Sequence, residues 1–111
     1  MKKWLAGLLF IPTMASAQFF TGNLLLQRMQ SSDALERMLA MGYVIGVSDA
    51  GQGSTHCSGA QVTSGQTRDV VKQYLEQNPA IRDLHADIIV SVALGQAWPC
   101  PKNQKKGGTK L

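Results

Sequence analysis

The chain has 111 residues, 44% hydrophobic and 16% charged, with a formal net charge of +4 and two cysteines. That length allows one domain and excludes a dinucleotide-binding dehydrogenase, a barrel enzyme or a kinase, each of which needs far more chain. The charged fraction is too low, and the apolar fraction too high, for a wholly disordered protein.

In chain order, Lys2 and Lys3 come first, followed by a mostly apolar run from Leu5 to Met14 and by Ala15-Ser16-Ala17, a small-x-small cleavage site. Positive start, apolar middle and small-residue cut, in that order, are the parts of a secretory signal peptide. The apolar run is too short to cross ~30 Å of hydrocarbon as a helix; the competing reading is a buried N-terminal helix. Residues 1–17 are therefore expected to be a leader cleaved after Ala17, and the product a periplasmic protein. Gln18 rather than a cysteine follows the cut, which argues against a lipid anchor, and no later segment is apolar enough to span a membrane.

Without the leader the net charge falls to +2, and four of the nine remaining cations (Lys102, Lys105, Lys106 and Lys110) lie in the last ten residues. The body from Gln18 to Pro101 carries five basic and seven acidic groups. It lacks the clustered Lys/Arg that a nucleic-acid partner requires. Residues 102–111, Lys-rich with Gly107-Gly108, read as a disordered tail.

Helix signals dominate the body, residues 18–101. Thr21-Gly22-Asn23 offers cap residues before Leu24, Leu25 and Leu26, predicting a short first helix to about Gln30. Asp33 and Glu36 stand at capping-box spacing. After them Leu35, Met38, Leu39, Gly42, Ile45 and Gly46 recur at steps of three and four, one face of a helix expected to meet the core. This helix is expected to end near Ala50-Gly51, with glycine as the stop. Gly42 and Gly46 each cost about 1 kcal/mol inside a helix relative to alanine. Their shared face reads as tight core packing or as the seam of a dimer.

From Gly51 to Gln61 the composition is that of a loop. Thr63-Ser64-Gly65-Gln66 is a capping box, followed by Val70, Val71, Tyr74 and Leu75 on one helical face up to Asn78. Asn78-Pro79 reads as the start of a last helix, with Leu84, Ile88 and Val92, and also Ile89, expected to face the core. Trp98-Pro99-Cys100-Pro101 ends it. The expectation is an all-α protein, a small bundle of four to five helices.

Two cysteines in an oxidising compartment, Cys57 in the loop and Cys100 near the end, read as a disulfide. Closing so long a segment is worth ~4 kcal/mol on the chain-entropy model. A reactive thiol and a metal site are the other readings. His56, Cys57, His85 and Cys100 nominally supply four zinc ligands, but the close ligand pairs of a zinc motif are missing. No GxSxG, HExxH, P-loop or GxGxxG is present. The chain therefore reads as a protein without enzymatic activity and without a cofactor. His85, near a helix start, is expected to cap or to sit on the surface, and Asp49 and Asp69 to serve caps or salt bridges.

Several pieces then occur in a recognisable order: Phe19-Phe20-Thr21-Gly22-Asn23-Leu24-Leu25 with Arg28; Gly42-Tyr43-Val44-Ile45-Gly46-Val47-Ser48-Asp49-Ala50; Val62-Thr63-Ser64-Gly65-Gln66; Val70-Val71, Tyr74-Leu75 and Asn78-Pro79; and Ala97-Trp98-Pro99-Cys100. In this set the chain resembles the Tai-type (Rap/Tai) immunity proteins, small helical periplasmic proteins that neutralise peptidoglycan-amidase effectors of type VI secretion. The resemblance covers nearly all of the body. It implies a cognate amidase as partner, a homodimer, and a protruding loop that blocks the enzyme's cleft. Members of the family often carry a second disulfide at the places held here by Met29 and Ala40, which leaves Cys57–Cys100 alone. The loop from Gly51 to Ser58 is also short and Gly-rich.

On this reading Gln52, Ser54, Thr55, His56 and Ser58 are the candidate effector contacts, since they stand beside the expected tether and are flanked by glycines. The bland alternative is an ordinary solvent loop. A second functional class is a small periplasmic chaperone or stress protein binding unfolded chains, which the few titratable groups disfavour.

Overall fold

The computed structural model describes residues 19–102; the expected leader, and the tail beyond Lys102, lie outside the described residues. Within them the chain forms four α-helices and no named strand: α1 (Gly22–Met29), α2 (Ala34–Gly51), α3 (Ser64–Gln77) and α4 (Ala86–Ala97), with a 3₁₀ turn, Pro79–Ile81, before α4. This is the expected all-α bundle.

Side-chain caps decide where the first three helices begin. The Thr21 hydroxyl accepts from the Leu24 N–H, and the Asp33 carboxylate from Leu35 N–H, so each satisfies an otherwise orphaned first-turn donor. Thr63 and Gln66 form the full capping box: Gln66 N–H donates to the Thr63 hydroxyl at 3.1 Å, and Thr63 N–H to Gln66 Oε1 at 2.8 Å. At Asp33 only half of the expected box forms. Glu36 lies instead 3.5 Å from the Arg28 guanidinium, across to α1. Asn78-Pro79 starts the 3₁₀ turn and not the last helix, a correction to the expected boundary. Helix α4 begins seven residues beyond Pro79, where Ala86 N–H finds the Phe20 carbonyl at 2.8 Å.

The core lies between all four helices. Leu25, Leu26 and Met29 of α1 meet Ala40 and Val44 of α2, Val71 and Leu75 of α3, and Ala86, Ile89, Val90, Ala93 and Leu94 of α4. Phe20 packs edge-on against Tyr43 with ring centroids 4.6 Å apart, and the Arg28 guanidinium lies over Phe20. Met29 and Ala40 are both inside this core.

Two faces differ from expectation. On α2 the stripe assigned to the core points away from it: Leu35 is 68% exposed, Met38 67% and Leu39 54%. Gly42 and Gly46 have open space where a side chain would stand. The buried side is Ala40, Val44 and Gly51. On α4, Leu84 (just before it), Ile88 and Val92 face outward, and only Ile89 of the expected set is buried. The period was right and the face was not, because both helices are apolar nearly all round. A repeat of 3.6 locates a core face only when the opposite face is polar. Helix α3, polar on its outer side, buries Val71 and Leu75 with Val70 and Tyr74 beside them, as its pattern implied.

Candidate functional site

The segment after α2 starts from a helix end that leaves carbonyls without intrahelical partners. One of these, Gly51 C=O, accepts from Ser54 N–H and Thr55 N–H, both at 2.9 Å, and from the hydroxyls of Ser54 and Thr55 at 3.2 and 3.3 Å. The chain then reverses at Gly53, whose φ of 87° lies in the left-handed region that favours glycine. Its N–H donates to the His56 carbonyl at 2.7 Å. At the base Gln52 and Ser58 hold each other. Gln52 Nε2–H donates to the Ser58 carbonyl at 2.9 Å, and the Ser58 hydroxyl donates to Gln52 Oε1 at 2.8 Å.

Two glycines let this loop lie where it does. A side chain at Gly51 would collide with Thr55 Oγ1, and one at Gly95 of α4 would come within 2.9 Å of the Thr55 carbonyl oxygen. Gly51 was expected as a helix stop through its backbone freedom; its role is the absence of a Cβ under Thr55.

The His56 side chain is only 1% exposed. Its Nε2 is 3.3 Å from Ser48 Oγ on α2, and its Nδ1 is 3.5 Å from Thr55 Oγ1. The Thr55 hydroxyl gives its one proton to Gly51 C=O, so in the neutral ring Nδ1–H donates to Thr55 Oγ1 and Nε2 accepts from the Ser48 hydroxyl. Burial holds the imidazole below its usual pKa, with no neighbouring charge to offset the cost of ionising it. At neutral pH it is uncharged.

Cys57 and Cys100 are joined, with Cα atoms 4.8 Å apart. Cys57 N–H donates to the Trp98 carbonyl at 2.8 Å. The bridge and this bond tie the end of α4 to the outgoing side of the loop. With both sulfurs bonded to each other, neither is available as a thiol or thiolate ligand. His85 sits apart, exposed at the start of α4 and stacked 5.0 Å from the Phe19 ring. Asp69 pairs with Arg68 at 2.9 Å.

The loop separates two grooves. One, of about 400 Å³, lies toward the start of α3 and is lined by Ser48, Asp49, Gln52, Ser58, Ser64 and Thr67, with Ile45 and Val62. The other, of about 380 Å³, lies between α2 and α4 and is lined by Gly46, Val47, Ala50, Ser54, Thr55 and Ser91, among others.

Of the five candidate contacts, Gln52, Ser54 and Thr55 are exposed, Ser58 is half-buried, and His56 is inside. The polar groups of the four surface residues are turned into hydrogen bonds of the loop itself. What the loop offers outward is a fixed shape. Placing His56 among the surface contacts requires correction, since its ring is packed beneath the loop. Sequence reasoning missed Ser48, Gly51 and Gly95 as parts of this seat. Gly95 was the one with a signal, a glycine inside an otherwise apolar helix where alanine is the better helix former.

A comparison with curated proteins gives no match. The family model described as Rap1a immunity proteins matches residues 21–100, from the cap of α1 to the second cysteine.

Proposed function

The chain belongs to the Rap1a immunity protein family, and from that membership we propose that it protects the periplasm by occluding the active site of a secreted peptidoglycan amidase. It is exported by the leader of residues 1–17 and acts without catalysis of its own. The 52–58 loop is the element that enters the enzyme's cleft, with Gln52, Ser54, Thr55 and Ser58 at its surface. The observation that carries this reading is the loop's internal bonding: a hydrogen-bonded base, a shared Gly51 carbonyl and a buried ring beneath it. An inhibitor that plugs a cleft gains affinity when its projecting element needs no ordering on binding.

The protein acts as a homodimer through the outer face of α2. Two copies crossed antiparallel at Gly42 set Leu35, Met38 and Leu39 of each against the small residues Gly46 and Ala50 of the other. A two-fold interface requires a surface that complements itself in this way. The exposure of these three large side chains supports the pairing.

The test is inhibition of the amidase that co-purifies with the mature protein, measured on purified peptidoglycan. Ser54→Trp, at an exposed position, is expected to weaken inhibition at least tenfold with an unchanged melting temperature. Full inhibition by this variant would remove the loop from the interface. Protection of many unfolded clients, with no amidase captured, would favour the chaperone class.

A further inference from the structure

We infer that His56 is the internal positioning residue of the 52–58 loop, and that through it the loop unlatches in acid. Beyond the Gln52–Ser58 pair at the base, several of the bonds that shape the loop involve this residue. Its backbone carbonyl receives Gly53 N–H at 2.7 Å, and its own N–H points to the Gly51 carbonyl at 3.4 Å. Its ring bridges Ser48 on α2 to Thr55, whose hydroxyl also donates to Gly51 C=O at 3.3 Å. The next residue, Cys57, is fastened to Cys100. The imidazole thus fills the space between helix and loop, and the loop can open only by withdrawing it.

The ring's two partners are hydroxyls. They can accept from both N–H groups of an imidazolium, but they bring no negative charge to offset its desolvation. Charged groups on the surrounding elements face elsewhere. Asp49 of α2 is exposed beside the first groove, Asp87 of α4 is exposed and acts on Tyr43, and Lys102 is exposed and shares a shallow pocket with Thr55. The facing side of α3 contributes Ser64 and Thr67, which do not titrate in this range.

The direction follows from burial. The latched ring titrates below 6.5, the ordinary value it regains when the loop opens. Well above pH 6.5 both states are neutral and latching is at its strongest. As the pH falls below 6.5 the open state takes the proton preferentially, and the opening equilibrium grows by up to about tenfold per pH unit until the latched ring itself titrates. The inference about loop order concerns the free protein; only its extension to effector binding rests on the loop being the contact element.

The experiment is done on the oxidised mature protein without any partner. The His56 ring is followed by NMR from pH 8 to 4.5, and amide exchange of residues 53–57 is compared with that of α3 at pH 7.5 and 5.0 after correction for intrinsic rates. The expected result is a His56 midpoint below 6.5, lower protection in the loop at pH 5.0 than at 7.5 by the factor that the measured midpoint sets, and unchanged protection in α3. His56→Gln, which stays neutral, is expected to abolish the loop's pH dependence. A midpoint at or above 6.5, or equal loop protection at the two pH values, overturns the inference. Should His56→Gln fail to fold, the wild-type titration alone decides. The Ser54→Trp inhibition assay judges the contact element separately, so either idea can fail while the other stands.

Discussion

Helix α2 carries two stretches that look alike in sequence and differ in what surrounds them. Along its outer face Gly42 and Gly46 open onto empty space, flanked by exposed Leu35, Met38 and Leu39. At its end Gly51, together with Gly95 across on α4, is pressed against Thr55 so closely that no side chain fits. The first pair weakens the helix and gives the single copy nothing in return. The second pair makes the loop possible. A glycine in a helix is explained by what approaches it, and a surface that tolerates poor helix formers among large exposed hydrophobics is one shaped for something outside the chain.

The disulfide offers the largest perturbation of the loop end. Replacing both cysteines with serine is expected to remove about 4 kcal/mol, and each kcal/mol lowers the melting temperature by roughly 4–8 °C in a domain of this size. The loop's own bonds should persist, because the bridge fastens its exit while Gly51, Gln52, His56 and Ser58 close its interior. Amide exchange would therefore rise first around residues 98–101. Collapse of protection at 53–57 as well would mean that the bridge, and not the buried ring, shapes the loop.

Next in size are the close contacts. Gly51→Ala and Gly95→Ala are each expected to cost about 1–3 kcal/mol through overpacking against Thr55, read as a lower melting temperature with faster exchange in the loop. The smallest effect has the opposite sign. Gly42→Ala and Gly46→Ala are each expected to raise stability by about 0.4–1 kcal/mol when measured on dilute single copies. By filling the approach between paired helices, the same two changes should weaken self-association in sedimentation experiments. Stabilisation without any change in association would leave the outer face of α2 without its proposed partner copy.

Much of the fold was legible from residues whose chemistry acts over a few positions. Thr21, Asp33 and Thr63 mark helix starts because a short side-chain oxygen can reach a backbone N–H two or three residues on. The cysteine pair was legible from an even count together with the expected oxidising compartment. Helix α3 was legible because Arg68, Asp69, Lys72 and Glu76 leave one side for the core. Helices α2 and α4 were not, since a helix apolar on most of its sides has no preferred inward face until its neighbours are placed. The candidate loop was located by composition, but the inward ring of His56 meets Ser48 eight residues earlier, and the Thr55 carbonyl beside it lies over Gly95 in a different helix. No local pattern encodes such a meeting.

Met29 and Ala40 have one more consequence. Neither carries a thiol, so with both of them in the core Cys57 and Cys100 are the only two thiols of this sequence to be oxidised. Four cysteines admit three arrangements; two admit one. An oxidase can therefore finish the molecule in a single encounter, with no mispaired species to reshuffle and no need for an isomerase.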